Sequence, residues 1–398
     1  VAGLDFSSTQ DPDNTAADWF FAQLEFAIQN GTVHWTDELR AAPPLTLTQV
    51  NWVARNPGRR HDMRLDATPP PAWGERFSLR GRFVQPLLSR SHSRWQDWEG
   101  QLYAAFSHVD VSTLNTYIEL GVDVSQGDGG LRAWADVDRG ELQDVLADVA
   151  LRQVQVKLGS DLQALALRSV QGRLGGQRMP TGFAFSTEGL QFDTQDGLRW
   201  PGGNVKLRYE EGQDTAPARG EFSADRLDLA ALAQIAQRLP LDASVRTQLL
   251  SYAPQGLVEE VKGRWRGAMS HPLSYSATGT VAQLSLAAHP PAPTPTTSSS
   301  APATPTSGLL GLRGARISFE LNQAGGQAHL SISNGGLFLP GIFEEPVLPL
   351  NHLSTQVSWQ IKGEHLAVQL PQASFANADA QGSAQIKWES STPSVANG

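Results

Sequence analysis

Chemistry needs side chains that can move a proton, attack a carbon or hold a metal, and in this sequence such residues are scattered. Nine histidines are present, yet none stands in a His-Glu-x-x-His helix motif or another tight ligand cluster. Ser91-His92-Ser93 is the nearest polar knot. A nucleophile needs a base and an orienting acid, and no acid is placed beside it, so the segment reads as a solvated turn between Leu88 and Trp95. Gly-Lys never occurs as a dipeptide and there is no Gly-x-Ser-x-Gly elbow, which removes the phosphate-binding P-loop and the usual hydrolase turn. The stretch Asp123-Val124-Ser125-Gln126-Gly127-Asp128-Gly129 begins like a calcium loop, but Trp134 stands where the closing bidentate Glu belongs, and it reads as a glycine-rich turn. The acid pairs Glu210-Glu211, Glu259-Glu260 and Glu344-Glu345 are sequence neighbours, and neighbours on a strand face opposite ways and cannot flank one glycosidic bond. Cysteine is absent, which excludes thiolate sites and disulfides. No catalytic residue, no metal and no cofactor is assigned, and the chain reads as non-enzymatic.

The elements around these residues are mostly strands. Period-two alternation runs through Phe77, Leu79, Gly81, Phe83 and through Leu102, Ala104, Phe106, then Val145 to Leu151, Val154 to Leu158, Phe183 with Phe185, and Val205, Leu207, Tyr209. It returns at Trp265 and Tyr275, at Ile317, Phe319, Leu321, at Leu330, Ile332, at Val357, Trp359, Ile361 and at Leu366, Val368, Leu370. Residues 18–29 read as a helix with Phe20, Leu24 and Ile28 on one face, ended by Asn30-Gly31. Residues 229–239 read as a second helix, stopped by Pro240 and packed by default on the outer face of a sheet, with a short third helix after Asp242.

The expected organisation is a helical lead-in over residues 1–31 and a β-segment over 32–288 with a helical insertion at about 228–252. A Pro/Thr/Ser-rich disordered loop follows over 289–307, then further β-structure over 308–388 and a disordered tail over 389–398. With few helices and no βαβ rhythm, the class is all-β with minor helices and a mostly antiparallel sheet. Strand plus turn at about a dozen residues would give some thirty strands.

Composition narrows the partners. Of 398 residues 40% are hydrophobic and 18% charged, enough apolar matter for a sizeable core. Thirty-one basic and 40 acidic residues give a net charge of −9 without basic runs, so nucleic acid is not expected. No apolar run reaches the roughly 18–20 residues of a membrane span, and no signal segment follows Val1, so the chain reads as cut from a longer one. Apolar faces recur along the whole length with little helix to cover them, and a sheet curled around its own apolar face would meet that need.

Several phrases carry a resemblance. Trp35-Thr36-Asp37-Glu38-Leu39-Arg40 is followed by Ala42-Pro43-Pro44-Leu45 and Asn56-Pro57-Gly58-Arg59-Arg60-His61. Then come Leu79-Arg80-Gly81, Gly100-Gln101-Leu102-Tyr103-Ala104, Leu131-Arg132-Ala133-Trp134, a Gly172-Arg173-Leu174 turn, Asp196-Gly197 with Trp200-Pro201, and Ser223 to Leu229. Leu339-Pro340-Gly341-Ile342-Phe343 and Phe375-Ala376-Asn377-Ala378-Asp379 follow the Pro/Thr/Ser tract. In this order they resemble the AsmA-like bacterial envelope family, in its YhdP branch, over nearly the whole chain.

The resemblance implies an elongated, curled, taco-like β-sheet with an apolar inner groove, anchored in the inner membrane and crossing the periplasm of a Gram-negative bacterium. It would carry phospholipids, and the ends of the full-length protein would meet components of the inner and outer membranes. Residues on apolar alternating faces are the candidate lining: Leu79, Phe83, Leu102, Phe106, Val149, Leu151, Phe183, Phe185, Leu207, Tyr209, Phe319, Leu321, Val357 and Trp359. The rival readings are a periplasmic scaffold with a self-filled core and a carbohydrate-active β-solenoid.

Overall fold

A computed structural model describes residues 15–37, 42–87, 94, 97–117, 122–213, 215–269, 271–288, 311–340, 346–363 and 365–390. The Ser91-His92-Ser93 knot, Glu344-Glu345 and the 289–307 tract lie outside these residues. The fold is all-β with minor helices, and the strands are antiparallel and not closed into a barrel. Among the described residues there are nineteen strands rather than thirty, because many run well beyond the assumed length, up to 17 residues. The chain divides into two compact units, Val1–Gly202 and Gly203–Gly398.

The first unit starts with helix α1 (Thr15–Ala22) and continues through β1 (Glu25–Asp37), β2 (Ala42–Arg55), β3 (Arg60–Thr68), β4 (Phe77–Val84), β5 (Glu99–Asp110), short α2 (Val111–Asn115), β6 (Asp123–Asp138), β7 (Glu141–Lys157), β8 (Leu165–Met179), β9 (Gly182–Thr194) and β10 (Arg199–Trp200). Each strand pairs with the next. Three expectations fail here. The lead-in helix ends at Ala22, and its second half is strand: Phe26 and Ile28 pair with Ala54 and Trp52, while Asn30 is a left-handed bulge residue within β1 and not a helix stop. The glycine-rich stretch 123–134 is part of β6, where Gly127 and Gly129 take positive φ inside the strand. Gly172 does the same inside β8, so the expected Gly172-Arg173-Leu174 turn is a bulged strand. Glycine marks bulges as well as turns, and only a partner strand decides between them.

The second unit holds β11 (Asn204–Glu210), β12 (Arg219–Asp228), α3 (Leu229–Ile235), α4 (Ala243–Tyr252), β13 (Gln255–Ala268), β14 (His271–Leu286), β15 (Gly311–Asn322), β16 (Gly325–Phe338), β17 (Val347–Lys362), β18 (His365–Ala376) and β19 (Gln381–Glu389). Asp228 caps α3 by accepting the Ala231 N–H at 3.0 Å. Strands β14 and β15 pair directly, so the long tract between them leaves the ladder unbroken.

Bulges bend this sheet. Gln283, Gly314 and Asn334 all have positive φ and occur on β14, β15 and β16, where the register shifts beside the same core. Extra residues at such points kink strands and deepen twist. That core is Leu284, Ala315, Ile332, Leu350 and Leu353. Leu229 of α3 packs against it, so this helix meets the apolar side of the sheet and not its outer face as expected. The first unit has three comparable clusters, centred on Leu47 and Phe77, on Phe20 and Trp98, and on Val109 and Leu114.

Candidate functional site

Directly opposed residues of an antiparallel pair share a face, and alternate residues along a strand return to it. In the first unit Leu79 opposes Ala104, Phe106 opposes Leu131, and Leu131 opposes Val149. Ala147 opposes Leu174, and Gly176 opposes Phe185. Leu79, Phe83, Leu102, Phe106, Val149, Leu151, Phe183 and Phe185 therefore lie on one face. In the second unit Leu207 opposes Phe222, Gly279 opposes Phe319, Ala328 opposes Val357 and Gly326 opposes Trp359, which puts Leu207, Tyr209, Phe319, Leu321, Val357 and Trp359 on one face there.

These side chains do not share one burial. Leu79 and Phe106 pack on the cluster around Phe77, Phe83 on the aromatic group of Phe20, Phe21 and Trp98, and Leu151 on the cluster around Val109. Val149, Leu207, Tyr209, Phe319, Leu321, Val357 and Trp359 are half-buried, while Phe183 and Phe185 are 45% and 43% exposed. Burial falls along the strands from a closed rim to an open one. On β9 it runs from buried Phe192 to exposed Phe183, and in the second unit from fully buried Ile332 to Tyr275 and Trp388 at the surface.

The opposite face of each unit carries the charged side chains, with Tyr103, Trp134 and Leu146 standing among them in the first. Arg132, Asp148, Arg173 and Glu188 stand in register across β6 to β9. Arg173 donates to Asp148 at 2.6 Å, and that hydrogen bond, with the charges of Arg173 and Arg132, holds the Asp148 carboxyl below its ordinary range. In the second unit Arg219 and Arg208 do the same for Glu210, and Arg316, at 2.7 Å, for Glu259. Glu210 and Glu259, one member each of two acid pairs, are thus partners of arginines, while Glu260 pairs with Lys262. A depression of about 730 Å³ lies on the polar side of the first unit, walled by side chains of His108, Arg152, Gln171, Gln191 and Arg199. Among the described residues no group of three or more His, Asp or Glu could hold a metal ion.

A family model for the YhdP protein matches residues 3–397. The chain belongs to the YhdP family. This is a bacterial envelope family, and its model spans both units and both half-exposed faces. No curated protein and no solved structure matches the chain. No helix among the described residues is long and apolar enough to cross a membrane.

Several face residues were missing from the candidate lining. Leu131, Ala133 and Ala135 alternate with Arg132, Trp134 and Asp136, a period-two signal hidden by reading the preceding glycines as a turn. Phe222, Trp265 and Val368 join the face of the second unit through their opposed partners. Trp265 lay in an expected strand, and its sequence neighbours Arg264 and Arg266 mark the alternation.

Proposed function

We propose that this chain is a segment of a lipid-transport bridge in the Gram-negative envelope, without enzymatic activity, that holds phospholipid acyl chains on its apolar faces. The carrying observation is the pairing of an apolar face left half-exposed with a charged face behind it. Fully burying a Leu or Phe side chain is worth about 1.5–3 kcal/mol, so side chains that keep part of their surface in water forgo part of that gain. An acyl chain laid along the face recovers it at about 0.8 kcal/mol per methylene, and the headgroup remains in water at the open rim. Neighbouring positions offer similar burial, so movement along the face meets small barriers. Membership of the YhdP family supports the same reading, and the inner-membrane anchor and the partners at both membranes belong to this proposal.

The test is native mass spectrometry with lipid extraction on the chain purified from bacterial cells without detergent. Alongside it runs a variant carrying Phe183→Asp, Phe185→Asp and Leu207→Asp. The two phenylalanines are exposed enough for a carboxylate to stay hydrated, so the fold should survive. Bound phospholipid that disappears in the folded variant supports the bridge; a lipid-free parent chain sinks it and leaves the scaffold.

A further inference from the structure

Glycine recurs on the apolar face of the second unit in one relation, directly opposite an aromatic residue. Gly220 opposes Trp265, Gly279 opposes Phe319, Gly326 opposes Trp359 and Gly382 opposes Phe375. None of these glycines has positive φ, so their backbones do not demand glycine. The rings do. A methyl group on Gly220 would fall into the Trp265 indole, which supplies all three of its nearest atoms. On Gly279 it would lie 2.7 Å from Phe319 Cζ, on Gly326 2.6 Å from Trp359 Cζ2, and on Gly382 3.2 Å from the Phe375 ring. Each ring occupies the space over the glycine of a neighbouring strand.

The first unit shows that glycine opposite an aromatic is not sufficient. Gly176 opposes Phe185, yet a methyl group there would meet nothing within 4 Å. The Phe185 ring does not cover it.

Resting on the lipid-holding reading, we propose that Gly220, Gly279 and Gly326 are specificity-determining positions of the second unit. By leaving Trp265, Phe319 and Trp359 room over the neighbouring strand they level the floor, which favours unbranched acyl chains over methyl-branched ones. A straight chain gains dispersion and burial only where it touches along its length, and standing rings would divide the floor into compartments. Gly220 is the cleanest position, because an added carbon at Gly326 also meets the Glu320 carbonyl at 2.6 Å.

The experiment loads the full chain from vesicles of straight-chain phosphatidylglycerol mixed equally with its methyl-branched counterpart, and reads the retained lipid by native mass spectrometry. The variants are Gly220→Ala, Gly279→Ala and the double Gly220→Ala/Trp265→Leu, with circular dichroism and cooperative melting as folding controls. The parent chain should retain the straight-chain lipid preferentially. Each single variant should lose retention about tenfold, the factor carried by roughly two methylenes of burial, and the double variant should regain it because the raised ring is gone. Equal retention of the two lipids by the parent chain overturns the proposal whatever the variants do. So does parent-like retention in a folded single variant, or a double variant no better than Gly220→Ala. A parent chain that takes up neither lipid refutes the lipid-holding reading itself.

Discussion

The two units use the same alternation and build different surfaces from it. In the second unit one buried core, Leu284 to Leu353, gathers the closed rim, and the rings of the open side lie on glycines. In the first unit the early strands are covered by α1 and Trp98, whose indole stacks 3.9 Å from the buried ring of His61. The later strands then end in Phe183 and Phe185, which keep 45% and 43% of their surface exposed, and Phe185 leaves the opposed Gly176 uncovered. The same residue types serve as core or as exposed lining according to what a neighbouring strand places opposite them. Apolar identity alone therefore does not distinguish a packed side chain from one waiting for a ligand.

The largest expected contrast is between the rims. Ile332→Asp puts a carboxylate where no solvent reaches and should cost about 4 kcal/mol or more. Phe185→Asp, at an exposed position, should stay within about 1 kcal/mol of the parent chain. Denaturant unfolding followed by circular dichroism measures both, and equal losses would mean that the first unit's open rim is packed after all.

Glycine substitutions come next and should differ in sign. Gly279→Ala pushes against the Phe319 ring and should destabilise by about 1–3 kcal/mol. Gly176→Ala meets nothing within 4 Å and should stabilise by about 0.4–1 kcal/mol through the unfolded chain. Melting temperatures moving the same way would erase the distinction between covered and uncovered glycines.

The smallest effect concerns the polar face. Replacing Arg173 by Met should lower stability less than any substitution above, as expected for a largely solvated ion pair. Because the Asp148 carboxyl is lowered in the folded state, this contribution is present above the ordinary carboxylate pKa and fades as pH falls through the lowered folded value. A pH titration of stability in the parent chain and in Arg173→Met should therefore converge at the acid end. Curves that stay parallel would show that the pair contributes nothing through its charge.

Much of this was legible in the sequence. Strand character at Phe77 to Phe83 or Ile317 to Leu321 is local, because it needs only alternation and β-branched or aromatic side chains, and the helix from Leu229 is marked by its spacing and Pro240. Alternation marked which residues of one strand share a side, but that Leu79, Phe106, Val149 and Phe185 share one face is decided by the register of their strands. The α1 boundary was not. Phe20, Leu24 and Ile28 fit a helical face as well as Phe26 and Ile28 fit a strand, and pairing with Trp52 and Ala54 tips the balance.

By itself, then, the sequence determined the all-β class, the alternation of apolar and polar faces, and the family to which the order of its phrases belongs. Tertiary structure alone decided where strands bulge at residues such as Gln153 and Gln283, which rim is closed, and which glycine lies beneath which ring. The reason is distance along the chain. Gly220 and Trp265 become partners only when β12 and β13 align across the helical insertion between them. A bulge exists only relative to an opposing strand, so neither feature has a signature in a short stretch of residues.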